Sequence, residues 1–336
     1  MKTLTLDRFP RKVLRQIDIQ KAFIVSRLIT AAERLQLFRF LGRKRLTADA
    51  IGRKLKLHSF YLRPFLDLLV SLGLLRKDGG KYWNSPFAEK YFVAGRPIEW
   101  TRQFSAECAE DYDTLTVVEQ ALASGKTCQA ILKTPRLSYI ESMQRDRRRA
   151  EDFTQMLFHL HTKDADALAA YLDLSGHQAV LDVGGGSGVM SIALAKRHSH
   201  LRACILDIAP VCEVAARNVR RARLSRRVST LAGDIRKPLP AGYDVVLICD
   251  IGAVPPRLLQ NAYRALPPKG LLVLADRYLT GDGTRPLDRL AEHFVGSSFG
   301  LATRAGMVKA VRSCGFRRVK ARNVFRDVWY ITGIKP

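Results

Sequence analysis

The stretch that decides the fold is Val180-Leu181-Asp182-Val183-Gly184-Gly185-Gly186-Ser187-Gly188. Its apolar beginning is typical of a buried strand, and the following residues, Val189–Arg197, have the apolar spacing of a helix. Glycines at a strand-to-helix turn let the backbone bend sharply and approach a ligand without a Cβ in the way. The sequence therefore predicts a ligand-binding turn at the carboxyl end of a β-strand.

Short apolar segments alternate with helical segments around this turn, which is typical of a parallel sheet with crossover helices. The tail, residues 317–334 (RRVKARNVFRDVWYITGI), instead predicts two strands joined by a turn. We therefore expect an α/β fold, a doubly wound Rossmann-like sheet of seven strands. The five strands predicted before the tail are Ala179–Val183, Ala203–Leu206, Val228–Leu231, Val245–Ile248 and Leu271–Ala275.

Two acidic residues stand at the ends of the next two predicted strands. Asp207 lies 19 residues after Gly188, at a position where a carboxylate can accept two hydrogen bonds from a ribose diol. Asp234 follows 27 residues later, in LAGDI. Because open α/β sheets bind ligands at the carboxyl edge of their strands, these acids and the glycine turn predict one binding site.

The spacing of the glycines discriminates between cofactors. Dinucleotide-binding turns have the pattern G-x-G-x-x-G, which brings backbone N–H groups to a pyrophosphate. Here the pattern is G-x-G-x-G, with Gly184, Gly186 and Gly188, and Asp182 precedes it. An acid beside the turn repels a pyrophosphate but suits a ligand that carries an ammonium group. The pattern favours S-adenosylmethionine (SAM) as the cofactor.

The N-terminal part of the chain has a different organisation. Apolar residues recur at helical spacing from Phe23 to Leu41, and Thr47 is the predicted N-cap of a helix over Ala48–Leu55. A second apolar helix is predicted over Tyr61–Leu74. Leu75–Lys77 and Lys81–Trp83 then predict two short strands around a glycine-containing turn. This order of elements is that of a winged helix-turn-helix.

These patterns predict three parts of the chain. We expect a winged-helix domain over residues 1–100, a helical connector over 101–170 and the cofactor-binding domain over 171–336. Residues 100–170 have helical patterns throughout, with breaks near Ser124-Gly125 and Thr134-Pro135.

The net charge, +25 from 56 Lys and Arg against 31 Asp and Glu, raises nucleic acid as a partner. The excess is distributed, because residues 1–110 hold 22 basic and 10 acidic residues, or +12 of the +25. The predicted recognition helix, His58–Leu75, has one Arg and one Asp and few side chains that could read base edges. Nucleic acid is therefore disfavoured as a partner, although a winged-helix DNA-binding or regulatory protein remains the alternative.

The sequence lacks the patterns of membrane-spanning, secreted and metal-binding proteins. No stretch approaches the roughly 18 consecutive apolar residues of a membrane span. The first residues, MKTLTLDRFPRKVLRQ, have no apolar core or cleavage site of a secretory signal, so we expect a cytoplasmic protein. The six cysteines form no C-x-x-C pair, and no metal site is predicted.

LDVGGGSG, LDIAP, LAGDI and RALPPKGLLVLAD together resemble the class I SAM-dependent methyltransferases. The chain is similar, over about residues 20–334, to the small-molecule O-methyltransferases of the plant caffeate, hydroxyindole and bacterial polyketide type. The resemblance implies methyl transfer from SAM to a hydroxyl, or less expectedly a carbon, of a small aromatic acceptor. It also implies a homodimer formed through the N-terminal winged-helix domain. The same fold used for non-methyl chemistry with SAM retained is a further alternative.

The resemblance also implies the residues that bind the cofactor. Gly184 and Gly186 correspond to positions at the methionine moiety, Asp207 to the ribose acid, and Asp234 with Ile235 to positions at the adenine. Cys249 and Asp250 border the sulfonium. The complete implied cofactor set is Asp182, Gly184, Gly186, Asp207, Ile208, Asp234, Ile235 and Cys249.

The acceptor side departs from the family pattern. Plant-type members have a histidine base after the fourth strand, but the corresponding segment here, ICDIGAVPPRLLQ, has none. Its nearest ionisable residue, Asp250, is a catalytic candidate, with a helix N-cap or a cofactor contact as the alternative. The loss of the usual base favours an acceptor that is already acidic, or a carbon nucleophile.

Three further residues are candidates on the acceptor side. His293 lies in a segment that resembles the bacteriochlorophyll C-20 methyltransferase near its pocket histidine, so it is a catalytic candidate, with a packing role as the alternative. His161, which forms an H-x-H pair with His159 on a predicted helix, is an acceptor-binding candidate. Met156 is another, although it and Phe153 have the spacing of core residues.

Overall fold

A computed structural model describes residues 11–93, 110–133, 139–286, 290, 294 and 301–336. The chain divides into two compact units, Met1–Asp113 and Thr114–Pro336. Within the described ranges, no helix has both the length and the apolar character that crossing a membrane demands.

The N-terminal unit is helical with a small antiparallel sheet of order β1-β3-β2. Its core is apolar, and residues such as Phe38, Ile51 and Leu66 are fully or almost fully buried. The elements are α1 (Arg11–Arg34), α2 (Leu37–Leu41), β1 (Leu46–Thr47), α3 (Ala48–Leu55), α4 (Ser59–Ser71), β2 (Leu75–Asp78), β3 (Lys81–Asn84) and α5 (Pro86–Tyr91).

Most local predictions for this unit are confirmed. Thr47 is the N-cap of α3, and its hydroxyl accepts a hydrogen bond from the Ala50 N–H at 3.3 Å. The helical spacing predicted from Phe23 to Leu41 belongs to two helices, because Gln36 has a left-handed backbone (φ 52°) between α1 and α2. The helix predicted over Tyr61–Leu74 begins at Ser59 and ends at Ser71, before a turn with Gly73 at φ 71°.

The second unit begins with helices and continues as an α/β sheet. Its helices are α6 (Val118–Ser124), α7 (Cys128–Leu132), α8 (Tyr139–Arg145), α9 (Arg147–Leu160), α10 (Thr162–Tyr171), α11 (Val189–Arg197), α12 (Ala209–Arg221), α13 (Pro256–Ala265) and α14 (Arg304–Ser313). Its strands are β4 (Ala179–Val183), β5 (Arg202–Asp207), β6 (Val228–Ala232), β7 (Val245–Cys249), β8 (Leu271–Asp276), β9 (Arg317–Phe325) and β10 (Val328–Ile334).

The seven strands have the order β6-β5-β4-β7-β8-β10-β9. Strands β4 to β8 pair with one another in parallel, whereas β10 is antiparallel to both β8 and β9. The predicted sheet and its terminal hairpin are therefore confirmed. The break in the helical pattern predicted at Ser124-Gly125 is the end of α6, where Gly125 is a left-handed C-cap. The second predicted break, Thr134-Pro135, lies outside the described residues.

Alternate residues of each central strand belong to two different apolar cores. In β4, Val180 packs with α10 and α11, whereas Leu181 packs with α13 and α14. Side chains of successive strand residues point to opposite faces, so helices must cover both faces of this sheet. The sheet is doubly wound, and the ends of β4, β5 and β7 meet at one carboxyl edge.

Candidate active site

The turn between β4 and α11 requires glycine at specific positions. Gly184, Gly186 and Gly188 have φ values of 67°, 52° and 76°, in the left-handed region that L side chains disfavour. A Cβ on Gly188 would lie 2.7 Å from Ile205 Cδ1, and one on Gly184 would lie 3.0 Å from Ile251 Cγ2. The contact with Ile251 shows that the segment after β7 lies against this turn.

Asp182 lies fully buried under the glycine turn. Its Oδ2 accepts a hydrogen bond from Ser191 Oγ at 2.6 Å, while its Oδ1 has no hydrogen-bond partner among the residues that the structure describes. Burial raises the pKa of Asp182 to about 6. A buried carboxylate oxygen without a donor is costly unless a ligand supplies a hydrogen bond or a positive charge.

Asp207 ends β5 and organises the neighbouring turn. One carboxylate oxygen accepts the Gly186 N–H at 2.9 Å and the other accepts the Ile208 N–H at 2.7 Å. Burial raises the pKa of Asp207 to about 6, although both hydrogen bonds oppose the increase. Each carboxylate oxygen can accept two hydrogen bonds, so the group retains acceptor capacity for a diol.

Ile208, which is almost fully buried, is the N-cap residue of α12 and packs with Val211, Ala150 and Phe153.

Asp234 follows β6, and its carboxylate is hydrogen-bonded to Arg236. The backbone N–H and the guanidinium of Arg236 both donate to Asp234, at 2.8 to 3.1 Å. These contacts hold the pKa of Asp234 at about 2, so it is ionised. Ile235 is half-buried against the core.

The segment after β7 has a constrained backbone. Asp250 is in the left-handed region with φ 50°, and its N–H donates to the Ala275 carbonyl oxygen at 2.9 Å. Asp276, a buried carboxylate at the end of β8, accepts the Gly252 N–H at 2.8 Å. Burial raises the pKa of the neighbouring Cys249 thiol well above its ordinary range, so this thiol is neutral.

His161 lies between two carboxylates. Its Nε2 is 3.1 Å from Asp250 Oδ2, and its Nδ1 is 3.3 Å from Asp164 Oδ2. Burial lowers the pKa of His161, but the two carboxylates outweigh burial and raise the pKa from 6.5 to about 9. The residue lies between α9 and α10, not inside the predicted helix, and His159 is exposed on α9.

The acceptor-side roles of the other two candidates, Met156 and His293, stay predictions. Met156 is buried on α9, and Phe153 is half-buried beside Ile208, so both have positions of core residues. His293 lies outside the described residues. The sequence analysis missed Asp164 and Asp276. Two signals were available: the i, i+3 spacing of His161 and Asp164, and the LAD at the end of β8, which repeats the acid of the two LD strand ends.

Comparison with known proteins identifies the family of this chain. A family model for the O-methyltransferase domain matches residues 118–314, and one for the O-methyltransferase dimerisation domain matches residues 17–94. The chain belongs to the O-methyltransferase family. This O-methyltransferase is therefore a SAM-dependent enzyme, and the DNA-binding alternative is set aside.

Individual relatives agree with the family. The O-methyltransferase is 28% identical over 283 residues to a 3-hydroxy-5-methyl-1-naphthoate 3-O-methyltransferase of Streptomyces sahachiroi, covering 81% of this chain and 79% of that protein. It is 27% identical to the N,N-dimethyltransferase OxyT of Streptomyces rimosus, covering 95% and 96% of the two chains. Its fold is similar to that of PigF with S-adenosylhomocysteine (SAH), with a TM-score of 0.84 at 19% identity, covering 96% and 99% of the two chains.

The residues at the carboxyl edge fit SAM. Asp182 offers a buried oxygen without a partner, which suits a cationic or hydrogen-bond-donating group. A Cβ added at Gly186 would meet only backbone, 3.9 Å away, so the face of the turn at this position is open. Asp207 supplies acceptors for a ribose diol at the neighbouring strand end. The carboxylate acceptors of the site suit the positive charge and the hydroxyl groups of this cofactor.

Proposed function

We propose that this O-methyltransferase methylates a hydroxyl group of a small aromatic molecule. The observation that carries the proposal is the Asp250–His161 pair, because the residue after Asp250, Ile251, lies against Gly184 of the glycine turn. The similarity to a naphthoate 3-O-methyltransferase supports an aromatic hydroxyl as the acceptor.

We infer that residues at the ends of different strands bind different parts of SAM. Asp207 at β5 binds the ribose, Gly184 and Gly186 approach the methionine moiety, and Asp182 compensates its charge. Ile208, Asp234, Ile235 and Cys249 complete the site, and Arg236 holds Asp234 in place. SAM supplies a methyl group that its sulfonium has already activated for in-line displacement, so the protein contributes alignment and exclusion of water.

Asp250 is the proposed proton acceptor for the hydroxyl. Its side chain is 33% exposed, so an acceptor can reach it, and its neighbour Ile251 abuts the turn at Gly184. His161 and Met156 are proposed to contact the acceptor, and His293 remains the second catalytic candidate. A proton acceptor of this kind contributes about 10²–10⁴-fold to the rate.

Transfer of an isotopically labelled methyl group tests this function. The enzyme is incubated with SAM labelled with ¹³C in its methyl group and with hydroxynaphthoates, catechols, hydroxyindoles, anilines and arenes without a hydroxyl. We expect an O-¹³CH₃ signal with at least one hydroxylated arene and none with its deoxy analogue. A label that appears only on carbon or nitrogen, or on no member of the panel, would contradict the proposal.

We also propose that the N-terminal unit is a winged helix that forms a homodimer. The O-methyltransferase dimerisation match supports this, as do Phe60 and Tyr61 on α4, which are 72% and 74% exposed. Exposed neighbouring aromatics of this size are typical of an interface.

Sedimentation equilibrium tests the dimer. We expect twice the 37.7 kDa mass of the chain, and a single-chain mass for the double variant Phe60→Glu/Tyr61→Glu. A wild-type enzyme that sediments as one chain at micromolar concentration would overturn it. The cytoplasmic location stays a prediction.

A further inference from the structure

Three ionisable side chains from separate segments form a linear cluster in the second unit. Asp164 on α10 and Asp250 after β7 face the two ring nitrogens of His161, at 3.3 and 3.1 Å. The Nδ1 contact with Asp164 has hydrogen-bond geometry, whereas the Nε2 contact with Asp250 has an ion-pair distance without that geometry. A carboxylate beside each ring nitrogen favours the imidazolium, which carries a positive charge and an N–H on both nitrogens.

We propose that Asp164 and His161 are positioning residues that hold the Asp250 carboxylate in the place where it receives the acceptor proton. The proposal rests on the proposed function, because it assumes that Asp250 is the proton acceptor. Asp164 has no direct part in the chemistry: its buried carboxylate acts through the ring.

The charges of this arrangement balance during the reaction. With His161 protonated, the cluster carries a net charge of minus one, which complements the single positive charge of a sulfonium. When the O–H bond of the acceptor breaks, its proton goes to Asp250 and its oxygen forms the new bond to the methyl carbon. The S–CH₃ bond breaks and its electron pair stays on sulfur. The cluster and the sulfur centre thus become neutral together, whereas a neutral ring would leave a charge on the cluster.

The surroundings of the cluster explain why Asp250 needs this support. Its left-handed backbone costs about 1–2 kcal/mol in a residue other than glycine and persists only where neighbours hold it. Two hydrogen bonds hold the main chain, from the Asp250 N–H to the Ala275 carbonyl oxygen and from the Gly252 N–H to the Asp276 carboxylate. The ion pair with His161 holds the Asp250 carboxylate. Among the described residues, the ionisable groups near the cluster include the neutral Cys249 thiol and Tyr330, whose hydroxyl donates to the Asp164 carbonyl oxygen at 3.4 Å.

Titration of the histidine by NMR, in the absence of cofactor and acceptor, is the first test. The Cε1–H signal of His161, assigned from the spectrum of His161→Gln, should titrate with a pKa of about 9 in the wild-type enzyme. In Asp250→Asn and in Asp164→Asn the pKa should fall, because each variant removes one carboxylate. A wild-type pKa near the ordinary value of about 6.5 would overturn the proposal without any measurement of activity.

The pH profile of methyl transfer is the second test. We expect wild-type activity to decrease as pH rises through the pKa of His161, and this decrease should occur at lower pH in Asp164→Asn. At neutral pH Asp164→Asn should lower kcat about 10–100-fold, which corresponds to one charge-assisted hydrogen bond, with little change in KM for SAM.

Two outcomes of this second test would contradict the proposal. An activity that increases through the same pKa would make His161 itself the base, and an unshifted profile in Asp164→Asn would make Asp164 merely structural. If Asp164→Asn does not fold, the wild-type titration and the Asp250→Asn variant still decide the question. Failure of the proposed function is distinct, because the wild-type enzyme would then methylate no hydroxyl in the acceptor panel.

Discussion

Asp207→Ala should weaken SAM binding by about 10²–10³-fold, the loss expected for two hydrogen bonds to a charged acceptor. The substitution removes the acceptor of the Gly186 N–H, so the glycine turn also loses an anchor. Isothermal titration calorimetry at pH 7.5 measures the effect directly. Asp173→Ala is the matched control, because this carboxylate is exposed and accepts the Ser175 N–H away from the site.

The same titration has a pH dependence that a general loss of structure would not produce. Burial raises the pKa of Asp207 and of Asp182 to about 6, above the ordinary carboxyl value, so both groups take up protons as pH falls through 6. If SAM binds the ionised forms, wild-type affinity falls by up to about tenfold per pH unit for each group below pH 6. Asp207→Ala should show a shallower dependence. Equal affinity of Asp207→Ala and the wild type would remove Asp207 from the cofactor site.

Gly188→Ala should lower the free energy of unfolding by about 3 kcal/mol. The left-handed backbone at φ 76° contributes about 1–2 kcal/mol, and the Cβ at 2.7 Å from Ile205 Cδ1 contributes about 1–3 kcal/mol through overpacking. Urea unfolding followed by circular dichroism measures the difference.

Gly186→Ala is the matched control for this prediction. Gly186 also has a left-handed backbone, at φ 52°, but its added Cβ meets only the Gly184 carbonyl oxygen, 3.9 Å away. It should therefore lose only the backbone contribution, about 1–2 kcal/mol. Equal losses in the two variants would show that contact with Ile205 does not restrict this turn.

The sheet could be predicted from the sequence because its central strands, β4, β5, β7 and β8, are buried on both faces. Buried parallel strands are continuous apolar runs, and their ends are marked by the glycine turn and by Asp207. The break at Gln36 could not be predicted, since its left-handed conformation has no local signal comparable to a glycine. The contact between Asp234 and Arg236 is local, and its two-residue spacing was available in the sequence.

The acceptor side was only partly predictable because its key contact is tertiary. His161 and Asp250 are 89 residues apart, and their pairing depends on how α9 and α10 pack on the sheet. Each of these two residues was an individual candidate, and the i, i+3 spacing of His161 and Asp164 was available in the sequence, but the pairing of His161 with Asp250 does not follow from spacing. In the proposed mechanism the base after β7 is Asp250, and the histidine that supports it comes from a different segment of the chain.

The structure of the enzyme in complex with SAH and a hydroxylated arene that it methylates tests the account most directly. We expect the ribose hydroxyls within hydrogen-bond distance of Asp207, and the acceptor oxygen about 2.6–3.2 Å from an oxygen of Asp250 while His161 contacts the same carboxylate. An acceptor oxygen that is held by another base, with Asp250 turned away from it, would contradict the account.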